Sequence, residues 1–200
     1  MSRKTLIVSS GNKGKIVEIK SILSELSIDV VSKDEVGLSD LEVIEDKDTL
    51  EGNAIKKALE IHKHKEGIVI SDDSGLFVDY LEGAPGVYSA RYAGVDGDDK
   101  ANNKKLLEEL KGVKPDERGA KFKTVIAIVL EDGSVETVTG ECSGTIIEEQ
   151  RGITGFGYDP LFVPKGYDQT FAELDSSIKN KISHRRDALE KLKIKLKNLI

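Results

Sequence analysis

Asp72 and Asp73 stand side by side just after Ile68-Val69-Ile70, a β-branched run that reads as a buried strand. Two adjacent carboxylates at the mouth of an apolar strand are costly unless something positive neutralises them. A divalent cation is the obvious candidate. Ser74 and Gly75 follow, and Gly75 would let the chain turn there. Gly83, Pro85 and Gly86 mark a second tight turn. An ordinary strand-end turn uses the same residue types, so these residues alone leave both readings open.

A second candidate is Ser10-Gly11-Asn12-Lys13-Gly14-Lys15, which follows a strand predicted over Thr5 to Ser9. Ile16, Ile19, Leu23 and Leu26 then recur on one helical face. A strand, a glycine turn and a helix N-terminus make an anion site, because backbone N–H groups and the helix dipole favour negative charge. Lys13 and Lys15 add cations. The spacing is not that of a Walker A loop, since Ile16 stands where Ser or Thr is required. A glycine-containing turn with solvated lysines is the plainer account.

Further along, Asn53 and Lys57 lie four apart on a helix capped by Thr49 and running to about Lys65. A cation on that face could reach a phosphate, or it could be one solvated lysine among many. The acidic connection from Leu38 to Asp48 carries Glu42, Glu45, Asp46 and Asp48. His62 and His64 are two apart on the same helix, cannot form an i, i+4 metal pair, and read as surface residues. Gly155-Phe156-Gly157-Tyr158-Asp159-Pro160 sets an aromatic between glycines, which suits a flat ligand such as a nucleobase; a packed loop with Phe156 in the core is the alternative. Lys179 to Arg186, including His184 and Arg185, reads as the start of the last helix. Cations there oppose the helix dipole, which hints at a ligand.

The elements that must position these residues alternate. Ile28 to Ser32 reads as a strand, and Lys100 to Leu110 as a helix stopped by Gly112. Phe122 to Leu130 is a strand apolar on both faces, followed by a Glu131–Ser134 turn. Strands are expected at Val135 to Gly140 and Ser143 to Glu148, and Leu189, Leu192, Leu196 and Leu199 stripe the last helix. The pattern is α/β with a mixed sheet. At 200 residues the chain fits a single domain, with no linker separating independent parts. Net charge is −6, so no sequence-wide basic footprint supports nucleic-acid binding. Apolar runs are too short for a membrane span or a signal peptide. Cys142 is the single cysteine, expected to be a buried small hydrophobe; its solitude excludes an intrachain disulfide and fits the cytoplasm.

Taken in order, SGNKGK, NAIKKA, SDDSGL, GAPGVYSARYAG, GFGYDP, FAEL and KNKISHRRDAL resemble the inosine triphosphate pyrophosphatase family, over nearly the whole chain. The resemblance implies an elongated α/β structure of two lobes, a mixed sheet flanked by helices, with a nucleotide cleft between the lobes. It implies a homodimer and a Mg²⁺-dependent hydrolysis of ITP, dITP and XTP to monophosphate and pyrophosphate. By the same resemblance, Ser10 through Lys15 cradle phosphates, with Lys15 the principal cation, and Asn53 and Lys57 add a phosphate contact. Asp73 is the general base and a metal ligand, with Asp72 beside it and Glu45 at the acidic metal position. Ser74 contacts substrate, and Phe156 to Asp159 hold the base with Lys179, His184 and Arg185. Ser9-Ser10 replaces the commoner Ala-Thr, and Gly52 stands where the family usually has Glu. Carboxylates without a His/Cys cluster suit a hard ion, so Mg²⁺ is favoured over Zn²⁺. Two other readings are a pyrophosphatase of similar fold for modified pyrimidine nucleotides and a nucleotide-binding regulator without catalysis.

Overall fold

The protein is described here by a computed structural model covering residues 4–199. The chain alternates strand and helix through its first third: β1 (Lys4–Val8), α1 (Lys13–Leu23), β2 (Ile28–Ser32), α2 (Leu50–His62) and β3 (Ile68–Val78). Then come α3 (Asp99–Glu109), β4 (Gly119–Val129), β5 (Val135–Ile146), β6 (Phe162–Pro164), α4 (Ser176–Ile182) and α5 (His184–Leu199). The strands form one sheet in the order β2-β1-β3-β4-β5-β6. β1 is parallel to both β2 and β3, with Leu6 opposite Val30 and Ile68. β6 is antiparallel to β5. The mixed α/β architecture expected from the sequence is therefore present.

The described chain divides into two compact units. The first comprises residues through Asp73, Thr124–Gly140 and the residues from Ala188 on; the second comprises Ser74–Lys123 and Glu141–Asp187.

Strand alternation builds the first unit. Leu6, Val8, Ile68, Ile70, Ile126 and Ile128 pack with Ile16, Ile19 and Leu23 of α1 and with Leu189, Leu192 and Leu196 of α5. The intervening Ile7, Val69, Ala127 and Val129 pack with Ala54, Ala58 and Ile61 of α2. Both strand faces are covered, which is why these strands are continuously apolar rather than alternating. Thr49 caps α2 by accepting the Gly52 N–H at 3.0 Å.

The second unit has its own core. Leu76, Leu106, Leu110, Phe122, Phe162, Phe171 and Leu174 are buried together. The Phe122 and Phe162 rings meet edge to face at 4.7 Å. Asp98 caps α3 through the Ala101 N–H.

Three expectations change. Gly75 is not a turn: β3 runs through Asp72-Asp73-Ser74-Gly75 to Val78. A Cβ on Gly75 would lie 2.3 Å from the Gly86 carbonyl oxygen, so the glycine serves close backbone approach inside a strand. The two strands expected over Val135 to Glu148 are a single strand, β5. Lys179 does not open the last helix but lies in α4; Ser183, in extended conformation, ends that helix, and its Oγ accepts the Arg186 N–H of α5. The turn at Gly83–Gly86 is present, with positive φ at both glycines.

Candidate functional site

In the first unit, β1 delivers the chain to Ser10 and α1 begins at Lys13. The Ser10 Oγ accepts the Asn12 N–H at 3.1 Å, and the Asn12 side chain caps α1 by accepting the Lys15 N–H at 3.1 Å. The first bond along the helix backbone runs from the Ile16 N–H to the Asn12 carbonyl. Ser10 to Asn12 thus form a turn that leads into the positive end of an 11-residue helix. Lys15 reaches back across 57 residues to Asp72, its Nζ 2.8 and 3.0 Å from the two carboxylate oxygens.

Asp73, the next residue, meets a different set. Asn53 Nδ2 donates to Asp73 Oδ2 at 3.2 Å, and Lys57 Nζ lies 3.7 Å from Oδ1. Lys57 also holds Glu45 at 2.5 Å. Asn53 and Lys57 therefore do share one helical face, as their spacing predicts, and that face points at Asp73. The strand period explains the split. Asp72 follows Ile68 and Ile70 on the face that α1 packs; Asp73 follows Val69 on the face that α2 packs. Each carboxylate of the adjacent pair therefore faces its own lysine, Lys15 on one strand face and Lys57 on the other.

In the second unit, the Gly155–Pro160 loop is held from several directions. Asp159 is buried; its Oδ2 accepts the Phe156 N–H at 2.9 Å and pairs with Lys179. Gly155 has φ +82°, and a Cβ there would lie 2.2 Å from Asp159 Oδ2, so the tight loop needs glycine. Tyr158 is buried and donates its hydroxyl to the Ser89 carbonyl at 2.8 Å; burial pushes its ionisation above the usual tyrosine range. Phe156 is not in the core. It is 64% exposed, with Lys179 Nζ 4.9 Å from its ring centroid. His184 stacks on Phe122 at 4.9 Å, and the buried Nε of Arg185 has no hydrogen-bond partner.

Sequence reasoning missed the residues that hold this loop. Asp99 accepts the Gly157 N–H at 2.6 Å, and Asn103, one turn along α3, donates to the Gly157 carbonyl at 2.9 Å. Both ends of one residue are gripped by an i, i+4 pair. Asn103 is buried; in the sequence it falls on the helical stripe of Leu106, Leu107 and Leu110, and a polar residue at such a core position was the available signal. His62 is half-buried rather than a surface residue; His64 is exposed.

The donor set decides what cation would suit the first unit. Among the described residues no group of three or more His, Cys, Asp and Glu is gathered to hold a metal. Glu45 and Asp73, however, both face the Lys57 ammonium, so a positive charge is already stabilised beside the pair. Oxygen-only donors suit a hard ion such as Mg²⁺, which keeps waters and phosphate oxygens among its ligands. Asp72 is turned to Lys15 on the other face. Among the described residues no helix is long and apolar enough to cross a membrane.

The first unit thus joins a parallel α/β strand pattern, a turn at a helix start, and two lysines set against the consecutive carboxylates Asp72 and Asp73. The chain belongs to the Ham1 family, whose sequence profile matches residues 6–195. It is 52% identical over 200 residues to a protein of Clostridium tetani named dITP/XTP pyrophosphatase, covering 98% of each chain. A Bacillus subtilis protein of the same name is 49% identical, over 94% of this chain and 95% of its own. The structure of the Staphylococcus aureus Ham1 protein superposes with a TM-score of 0.90 at 39% identity, covering 98% of this chain and 100% of that one. A Mycobacterium abscessus structure described as nucleoside-triphosphatase / dITP/XTP pyrophosphatase gives 0.80 at 41% identity, over 94% and 98%.

Proposed function

We propose that the chain hydrolyses the nonstandard purine nucleoside triphosphates ITP, dITP and XTP to the monophosphate and pyrophosphate, with Mg²⁺ as cofactor. The observation that carries the reading is Asp73. Its carboxylate lies within β3, is oriented by Asn53 and Lys57, and belongs to a chain about half identical to named dITP/XTP pyrophosphatases.

Asp73 accepts the proton of a water that attacks the α-phosphorus. The new bond is water oxygen to α-phosphorus; the bond to the β-phosphate oxygen breaks, and pyrophosphate leaves with that electron pair. Lys15, Lys57 and the amides of the Ser10–Lys15 turn hold the phosphate charge. Glu45 and Asp73 would hold the Mg²⁺, which supplies charge stabilisation to the phosphates when bound. Ser74, the next residue in the chain, contacts substrate. Phe156 offers a ring face to the base, and Lys179, His184 and Arg185 offer donors to the 6-oxo edge of hypoxanthine or xanthine. A homodimer and a cytoplasmic location belong to the same reading.

The test is incubation with ITP, XTP, dTTP and UTP plus Mg²⁺, with products identified by chromatography. Inosine and xanthosine monophosphates with pyrophosphate are expected. Turnover confined to the pyrimidine nucleotides, or binding without turnover, would replace this reading.

A further inference from the structure

Asn53 is fully buried, and its amide is committed at both ends. Its Oδ1 accepts the backbone N–H of Lys47 at 2.9 Å, and its Nδ2 donates to Asp73 Oδ2 at 3.2 Å. The orientation is forced. A backbone N–H can only donate, so the amide oxygen must face Lys47, and the NH₂ must then face the carboxylate. One turn along α2, Lys57 repeats the pattern, reaching Asp73 at 3.7 Å and Glu45 at 2.5 Å. Residues 41–47, which carry Glu45, have no regular secondary structure. Such a segment is held by the side-chain bonds it can find.

We propose that Asn53 is a positioning residue: it aims the Asp73 carboxylate and pins the Glu45–Lys47 stretch beside it. It touches neither phosphate nor water. The second N–H of that amide is closed to solvent with the rest of the side chain, so a phosphate could reach it only if the packing around α2 opened. The kinetic half of the inference rests on Asp73 being the proton acceptor; the pinning half does not.

Two variants of the full chain separate the two bonds. Asn53→Asp keeps an acceptor for the Lys47 N–H but sets an oxygen against Asp73. Asn53→Ala removes both bonds. For Asn53→Asp the expected result is a fall in kcat on ITP of ~10–100-fold, with KM changed by less than about threefold, the split of an interaction felt in the transition state. A KM raised about tenfold or more with kcat retained would mean direct phosphate contact and overturn the proposal. Without any nucleotide, trypsin should cleave after Lys47 at the wild-type rate in Asn53→Asp and at least about tenfold faster in Asn53→Ala. Equal cleavage of all three proteins overturns the pinning, even if the wild type proves inactive on ITP. Should Asn53→Ala not fold, hydrogen exchange on the wild type decides: a protected Lys47 amide supports the bond, and exchange at exposed-backbone rates refutes it.

Discussion

Asp72 and Asp73 are consecutive in the chain, yet their carboxylates are drawn to lysines on opposite faces of one strand. Asp72 takes Lys15 at 2.8 Å, and Asp73 lies 3.7 Å from Lys57. The strand's period of two turns a pair that looks like one acidic motif into two separate devices. One orients a cation beside the anion turn. The other sets a carboxylate against α2.

That separation predicts unequal losses. With Asp73 in the proposed role of proton acceptor, Asp73→Asn should lower kcat on ITP by ~10²–10⁴-fold, with circular dichroism unchanged. Asp72→Asn leaves Asp73, Asn53 and Lys57 in place and releases Lys15, so it should act mainly on KM. Steady-state kinetics of the two variants at saturating Mg²⁺ check this. Equal kcat losses would show that the two carboxylates work as one group.

Gly75→Ala should destabilise strongly. The added methyl would meet the Gly86 carbonyl oxygen at 2.3 Å, backbone against backbone, with no flexible side chain to give way. Overpacking costs ~1–3 kcal/mol in general, and this contact belongs at the upper end. The midpoint of urea unfolding should fall at an unchanged slope. A wild-type midpoint would mean that the second unit's strand and turn shift apart without cost.

Most of the frame was legible because hydrophobic period and cap residues agree. β2, the Thr49 cap and the apolar faces of α1, α2 and α5 follow directly from the spacing of their residues. The turn preferences of Asp, Ser and Gly hide the continuation of β3 beyond Ile70; tertiary ion pairs override them, and no local propensity reports on a lysine 57 residues away. β5 reads as two strands in the sequence because a glycine and a charge at Gly140-Glu141 interrupt the pattern. β6 is three residues ending in proline, tolerable only because the strand lies at a sheet edge. In the site, Asn53 and Lys57 were placed by helical spacing. Asp99 and Asn103 escaped notice because their partner, Gly157, is more than fifty residues away and is gripped through its backbone.

Cys142 should be a poor nucleophile. Burial, with the nearby Asp187 charge adding, pushes its thiol from 9.0 up to about 11. At pH 8 only about one molecule in a thousand would carry the thiolate. Native protein should therefore react slowly with a thiol-exchange reagent at pH 8 and rapidly once unfolded in urea. The sign for stability follows. The unfolded thiol loses its proton near pH 9 while the folded one keeps it, so stability present below pH 9 declines between pH 9 and about 11. Fast labelling of the folded protein, or a Cys142→Ala variant that unfolds with the same pH profile above 9, would count against this assignment.

Phe156 and Tyr158 lie two residues apart in one loop and should fail in opposite ways. Phe156 is 64% exposed and contributes little to the core, so Phe156→Ala should leave the thermal midpoint nearly unchanged. Its ring is free on the solvent side for a base to stack against, and losing a stacking partner typically costs ~1–3 kcal/mol. That corresponds to a rise in KM for ITP of roughly 5- to 150-fold. Because every purine has a π-face, the loss should be similar for ITP and XTP, and the preference over ATP should survive. Tyr158→Phe removes the donor to the Ser89 carbonyl, leaving a buried acceptor unpaired at a cost of ~1–3 kcal/mol of folding stability. Its KM should change far less than that of Phe156→Ala. Thermal melts and kinetics on ITP, XTP and ATP for both variants settle the contrast. A Phe156→Ala enzyme with wild-type KM would remove the stacking role, and a drop in its melting temperature matching that of Tyr158→Phe would show that the ring serves the fold instead.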